Sequence, residues 1–178
     1  MQALVSLPKI DGGDDPRHLG KVFFRKVGGV PLLARVIATA WRSGATSVLL
    51  LHPASLPESW LRSRLQSAFL SSVRIRTVAL ETPFDADDPT HWQRIEDQLE
   101  GTFLWLPYNY VTVKKVLRTL ITAGQGHETG VRFPAATMGS DGEPADRAGA
   151  TGAGSLPALI HKGELLAAGS LQEVLRTL

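Results

Sequence analysis

The chain has 178 residues, of which 43% are hydrophobic, and this length and composition are typical of a single domain with a buried core. Its formal charge is +2 at pH 7 and its basic residues are dispersed, so we predict no nucleic-acid partner. The sequence contains no cysteine, which excludes disulfides and thiolate metal sites and favours a cytoplasmic location.

The first residues have neither the basic start nor the long apolar stretch of a signal peptide. No apolar run reaches the ~18 residues that a membrane-spanning helix needs. We therefore expect no membrane contact from this segment itself.

The first predicted elements form a strand–loop–helix–strand unit. "QALVSL" is a short apolar strand that ends at Pro8, and the segment from Lys9 to Gly20 is predicted to be irregular because it holds three aspartates, three glycines and a proline. From Pro31, apolar residues recur at three- and four-residue spacing, which predicts a helix that ends at Gly44. "TSVLLLHP" then has the continuous apolar pattern of a strand buried on both faces.

The middle of the chain repeats this alternation. We predict a helix over about 57–70, a strand at "SVRIRTVAL" whose alternation places it nearer the sheet edge, and a short helix over 91–99. "GTFLWLP" is predicted to be a second buried strand, followed by an amphipathic helix over 111–123.

The last third is less regular. Residues 139–155 are rich in glycine, alanine, aspartate and proline, which predicts a flexible loop. "LPALIHKG" is predicted to be a strand, and a short helix is predicted from about Ser170. The chain ends within that helical pattern, which agrees both with a natural terminal helix and with the N-terminal part of a longer protein.

Together these elements predict one domain over residues 1–178 with an α/β fold. We expect a three-layer α/β/α, Rossmann-like arrangement around a mostly parallel sheet, with Leu4, Val48, Leu50 and Leu104 in the core. Ligands of such sheets usually bind at the carboxyl ends of the strands.

Two segments carry a more specific resemblance. "VGGVPLLARVIATAWRSGATSVLLL" and "FLWLPYNYVTVKKVLRTLI" resemble the nucleotidyltransferase branch of the nucleotide-diphospho-sugar transferase fold. The glycine and Pro-Leu-Leu spacing is similar to that of cytidylyltransferase-like domains joined to membrane CDP-alcohol phosphatidyltransferases, and the resemblance covers residues 1–123. It implies CTP or another nucleoside triphosphate and a sugar or polyol phosphate as ligands, magnesium (Mg²⁺) as cofactor, and a membrane enzyme as partner or fusion.

The phosphate loop departs from that resemblance. Family enzymes grip the triphosphate with a glycine-rich loop after the first strand, where this sequence reads "LVSLPKIDGGDDPR". Pro8 has no N–H group to donate, and the aspartates of this loop would repel a triphosphate unless a cation lay between them. Gly12, Gly13 and Arg17 are our candidates for a displaced phosphate loop, and the alternative is a plain surface turn.

Two further positions complete the candidate nucleotide site. The resemblance implies a phosphate-neutralising lysine; the ungapped position is Val22, so the adjacent Lys21 is the candidate. The alternative is a solvated lysine, and in either case Lys21 is expected to lie in a loop. Gly29 is expected at a position of close approach just before the helix.

The metal site departs most from the family. "LPYNYVT" stands where a metal-binding aspartate is expected, and no Asp or Glu occurs between Glu100 and Glu128. Asn109 offers one neutral oxygen, which alone is a poor Mg²⁺ ligand, and its alternative role is in a structural turn capped by Thr112. Asp14 and Asp15 could supply carboxylates if their loop folds back over the strand ends.

Two functional hypotheses remain. The first is a nucleotidyltransferase-like domain of cytidylyltransferase type, acting on a sugar or polyol phosphate and weakened or inactive. The second is a non-catalytic binding or regulatory domain, a pseudoenzyme that partners a CDP-alcohol phosphatidyltransferase.

Overall fold

The computed structural model describes residues 1–8, 16–66, 70–124, 131–132 and 157–177. Its strands are β1 (Gln2–Ser6), β2 (Lys26–Val27), β3 (Val30–Pro31), β4 (Ser47–Pro53), β5 (Arg74–Leu80), β6 (Thr102–Pro107), β7 (Val131–Arg132) and β8 (Ala158–His161). Its helices are α1 (Pro16–Phe23), α2 (Leu32–Ser43), α3 (Glu58–Leu65), α4 (Pro89–Ile95), α5 (Lys114–Gly124), α6 (Lys162–Ala168) and α7 (Leu171–Thr177), and a 3₁₀ turn covers Glu96–Gln98.

A six-stranded sheet in the order β5-β4-β1-β6-β8-β7 forms the centre of the molecule. The strands β5, β4, β1 and β6 run parallel, β8 is antiparallel to β6, and β7 is antiparallel to β8. The prediction of a mostly parallel sheet is therefore confirmed, and β5 lies at the edge that its alternating pattern indicated.

Each face of the sheet is covered by helices. Val5 and Leu50 point into one apolar cluster with residues of α1, α2, α3 and α5, whereas Leu4 and Leu49 point into a second cluster with residues of α4, α6 and α7. This alternation explains why the central residues of β1, β4 and β6 are apolar on both sides, since both faces of these strands are buried. The four residues predicted to be in the core, Leu4, Val48, Leu50 and Leu104, are all fully buried.

The helix α2 forms where the sequence predicted it. Pro31 precedes its first turn with φ of −55°, and Gly44 ends it with φ of 121°, a conformation that favours glycine. The buried face consists of Leu33, Ala34, Val36, Ile37, Ala38, Ala40 and Ser43.

Tertiary packing overrides several local expectations. The segment predicted to be irregular up to Gly20 is helical from Pro16, because Leu19 and Phe23 lie four residues apart and are both buried. The helix predicted over 111–123 begins only at Lys114, and α6 and the β2–β3 hairpin were not predicted. The predicted loop at 139–155 lies outside the described residues.

None of the helices in the described parts of the chain combines the length and apolar character needed to cross a membrane.

Candidate functional site

The order in which the chain adds strands to the sheet reverses at β1, and the candidate site is expected at this reversal. The chain passes from β1 through β4 to β5 on one side and then returns to β6 on the other side of β1. Ser6 of β1 pairs with both Leu51 and Pro107, and the Leu7 N–H donates to the Leu51 carbonyl at 2.9 Å. The loops after β1, β4 and β6 therefore begin at one edge, which is where ligands of doubly wound sheets bind.

Helix α1 packs beside this edge through aromatic contacts. The Phe23 ring meets the Tyr108 ring edge-on at a centroid distance of 5.3 Å, and Phe24 meets Trp60 in the same way at 5.6 Å. A Cβ atom on Gly20 would lie 3.1 Å from the Trp60 ring, so α1 and α3 are in close contact. The helix thus connects the loop after β6 with α3.

The basic candidates lie on this helix. Arg17 and Lys21 are four residues apart on α1, and both are exposed. The expectation that Lys21 lies in a loop was wrong, since Lys21 is in the last turn of a helix whose buried face anchors it to the core. The other loop candidates, Gly12, Gly13, Asp14 and Asp15, lie between β1 and α1 and outside the described residues.

Gly29 lies in the β2–β3 hairpin. Gly28 and Gly29 form its two-residue turn with φ of 57° and 79°, and a Cβ atom on Gly29 would have no neighbour within 4 Å. Close packing within the described chain therefore does not explain this glycine, and its contact with a nucleotide stays a prediction. This glycine is needed because a tight hairpin turn requires positive φ at both central residues.

Asn109 is exposed on the turn that follows β6. The Tyr110 N–H donates to the Pro107 carbonyl at 3.1 Å, so this turn is closed by a backbone bond instead of by the Thr112 side chain. The neighbouring Tyr108 is half-buried, and burial raises the pKa of its phenol. The end of β6 therefore presents neutral polar groups.

His52, at the carboxyl end of β4, is a feature that the sequence reading missed. Its side chain is 2% exposed, its Nδ1 lies 3.0 Å from the Pro53 carbonyl oxygen, and its Nε2 has no hydrogen-bond partner within the described chain. The Nδ1–H tautomer donates to that carbonyl and leaves a buried lone pair on Nε2. The sequence contains one indication of this buried polar side chain, since a histidine directly follows the apolar run "SVLLL".

The described residues do not provide a metal site. Among them, no three histidine, aspartate or glutamate side chains come together. Asp87 accepts the Gln172 N–H and Asp88 caps α4 through Thr90, so both serve the structure. Asn109 alone does not meet the preference of Mg²⁺ for several oxygen ligands.

No protein-family model and no curated protein matches the chain, whereas solved structures do. A nucleotidyl transferase from Methanothermobacter thermautotroptrophicus (Mth528) is 13% identical, with a TM-score of 0.59, and the alignment covers 99% of this chain and 80% of that one. Rv0371c from Mycobacterium tuberculosis has the same identity and coverage with a TM-score of 0.57, and it has also been solved in complex with manganese.

A third similar structure is the 4-diphosphocytidyl-2C-methyl-D-erythritol synthase from Anaerococcus prevotii, which is 13% identical with a TM-score of 0.58 and coverage of 94% of this chain and 74% of that one. At this identity the likeness establishes the fold alone. The chain therefore has the α/β fold of these three proteins.

Proposed function

We propose that the chain is a nucleotide-binding domain of nucleotidyltransferase type, related to cytidylyltransferases that act on a sugar or polyol phosphate, whose transfer activity is lost or strongly weakened. The observation that supports this proposal is the fold, which agrees over almost the whole chain with structures named as a nucleotidyl transferase and as a diphosphocytidyl-methylerythritol synthase.

The arrangement at the sheet edge supports binding of a phosphorylated ligand. The loops after β1 and β6 begin side by side, and α1, the helix that carries Arg17 and Lys21, contacts the loop after β6 through Phe23 and Tyr108. A protein cation near a triphosphate lowers the free-energy cost of removing the phosphate charges from water. The neutral aromatic ring of Tyr108 can pack against a nucleobase or a sugar. We choose CTP as the first candidate ligand because the fold is similar to that of a diphosphocytidyl-methylerythritol synthase.

The same arrangement supports the loss of activity. Nucleotidyl transfer relies on a metal to offset charge on the transferred phosphorus, a contribution of several kcal/mol in metal-assisted reactions. The end of β6 presents Tyr108, Asn109 and Tyr110 and no carboxylate. Transfer is therefore expected to be slower than in a metal-loaded enzyme by on the order of a thousandfold.

Isothermal titration calorimetry with CTP tests the binding. We expect weak binding that changes about threefold or less when Mg²⁺ is added, since the protein supplies few ligands to the metal. Lys21→Ala should weaken binding, whereas Lys114→Ala, which removes an exposed lysine from α5, should not. No binding of CTP, UTP, ATP or GTP would contradict the proposal.

Pyrophosphate release with candidate sugar and polyol phosphates tests the activity. We expect binding without measurable turnover. Strong Mg²⁺-dependent binding and turnover that disappear in Asp14→Asn and Asp15→Asn would show that the acidic loop replaces the missing ligand, and the chain would then be an active enzyme.

A second candidate function is that of a regulatory domain that partners a CDP-alcohol phosphatidyltransferase. The observation that favours it is the uncovered apolar pair Val111 and Val113, which are 46% and 63% exposed in the segment between β6 and α5. Co-purification with such an enzyme from the same organism, lost in the Val111→Ser and Val113→Ser double variant but kept in Thr119→Ser, would support this role. Equal recovery of both variants would exclude this surface.

A further inference from the structure

The outer edge of β5 is not covered by any described strand. Among the described strands, β5 pairs with β4 on one side only, along all seven residues from Arg74 to Leu80. Its outer edge therefore presents backbone N–H and C=O groups that no described strand uses. Such an edge can accept one more strand.

A groove runs along one face of this edge, between α3 and β5. It has a volume of about 450 Å³. Its apolar floor contains the buried side chains of Leu65, Leu70 and Val73, and Ile75 and Thr77 of β5 also line it. The groove thus offers apolar surface beside the free backbone edge.

A polar network lies at the Thr77 side of the groove. Glu58 accepts hydrogen bonds from the Thr77 hydroxyl and from the Arg62 guanidinium, whose Nε is 2.9 Å away. The negative charge of Glu58 is therefore already compensated locally, and it adds little repulsion toward an acidic ligand.

The opposite face of β5 is basic in its first half, whereas Val78 and Leu80 farther along the same face pack against the second apolar cluster. Arg74 and Arg76 alternate with Ile75 and Thr77, and both arginines are exposed. The Arg76 guanidinium donates to the Gln98 carbonyl at 2.9 Å, which holds it beside the strand. Side chains of an added strand would alternate in the same way, one set above the groove and the other beside the arginines.

We propose that the β5 edge binds an extended peptide segment of a partner protein in which apolar and acidic residues alternate. Backbone hydrogen bonds to the edge supply the docking, the groove takes the apolar side chains, and the arginines pair with the acidic ones. A second copy of this chain fits less well, because pairing two β5 edges brings four arginines to one interface.

The probe is a fluorescein-labelled seven-residue peptide of alternating valine and glutamate, and its binding is measured by anisotropy. The control is a peptide of the same composition with four valines followed by three glutamates. We expect the alternating peptide to bind at least about tenfold more tightly and its binding to weaken with salt, because only its pattern places valines at the groove and glutamates beside Arg74 and Arg76.

Variants locate the site. Arg74→Glu and Ile75→Asp should each weaken binding about tenfold or more, since one reverses the charge and the other places a charge above the groove. Arg118→Glu makes the same charge reversal on α5 and should change binding less than about twofold. Thermal unfolding midpoints check that each variant folds, and Arg74→Gln replaces Arg74→Glu if the latter does not.

Amide hydrogen exchange gives the direct test. Saturating alternating peptide should slow exchange in the segment Arg74–Leu80, since its outward amides become hydrogen-bonded. Equal affinity for both peptides, or protection elsewhere without protection of this segment, would overturn the proposal. Concentration-dependent protection of β5 without peptide, together with dimerisation in sedimentation, would assign the edge to a second copy instead.

Discussion

The two glycines at the β2–β3 turn show how single residues decide local geometry. Gly28 and Gly29 have φ of 57° and 79°, a region that L side chains rarely adopt. The turn leads directly into α2, and the Leu32 N–H donates to the Arg25 carbonyl at 2.8 Å across its base. The hairpin therefore helps to set where α2 starts.

Gly29→Val should lower the free energy of unfolding by about 1–3 kcal/mol, because a β-branched residue with positive φ is strained. The structural control is Gly101→Val, since a Cβ atom there has open space and its φ lies outside the left-handed region. Denaturant unfolding measures both. The sequence also predicts a smaller effect for Gly149→Val, at a position outside the described residues. Equal losses of unfolding free energy in all three variants would contradict the assignment of Gly29 to a turn that requires positive φ.

A second single-residue effect concerns Glu58. The hydrogen bond from Thr77 and then the Arg62 guanidinium hold the pKa of the Glu58 carboxyl below its ordinary value of 4.5. A lowered folded-state pKa gives stability that is present above the unfolded pKa and is lost as pH falls through the folded value.

Thr77→Val should raise the pKa of Glu58 toward its ordinary value, because it removes the largest cause of the shift. An NMR titration of the Glu58 carboxyl carbon checks this. The variant should also lose less stability than the wild type when pH falls from 7 to 3. An unchanged Glu58 midpoint in Thr77→Val would show that the hydroxyl is not the main cause.

Helix α1 illustrates stability at the scale of an element. It has eight residues, far fewer than the roughly 12–15 that an isolated helix needs to be marginally stable in water. Its order comes instead from burial of Leu19 and Phe23 and from the contact of Phe23 with Tyr108. Because α1 carries Arg17 and Lys21, this packing also positions the basic candidates.

Phe23→Ala should destabilise the protein by about 3–5 kcal/mol, since it removes a fully buried ring and leaves a cavity. Phe24→Ala should cost less, because Phe24 is only partly buried against the same core. Thermal or denaturant unfolding compares the two. If Phe24→Ala were the more damaging variant, the orientation of α1 described above would be wrong.

At the scale of the whole molecule, both helical layers share one sheet. Neighbouring residues such as Leu49 and Leu50 belong to different apolar clusters, so separating either layer exposes one face of the same strands. Trp41 and Trp60 pack with one cluster, whereas Trp92 and Trp105 belong to the other. The layers are therefore expected to unfold together.

In the variant with Trp41→Phe and Trp60→Phe, fluorescence reports only the layer around Trp92 and Trp105, whereas far-ultraviolet circular dichroism reports all helices. We expect both signals to give the same denaturant midpoint, as in the wild type, because a single domain unfolds cooperatively. Separate midpoints in either protein would show that the chain does not behave as one domain.

The sequence by itself determined the elements whose patterns are local. The apolar runs of β4 and β6 and the spacing within α2 follow from residues close together in the chain, and Pro31 and Gly44 mark the ends of α2 through their own backbone preferences. These elements support the mostly parallel sheet and place its carboxyl edge as the candidate site. The roles of Gly12, Gly13, Asp14 and Asp15 remain predictions from the sequence.

Only the tertiary structure decided features that depend on distant neighbours. Helix α1 forms in a segment of unfavourable composition because Phe23 packs against Tyr108, and the direction of β8 depends on its pairing with β6. The burial of His52 Nε2 is likewise a property of the folded chain. Which strands pair, and in which direction, is set by residues far apart in sequence, so local periodicity does not determine it.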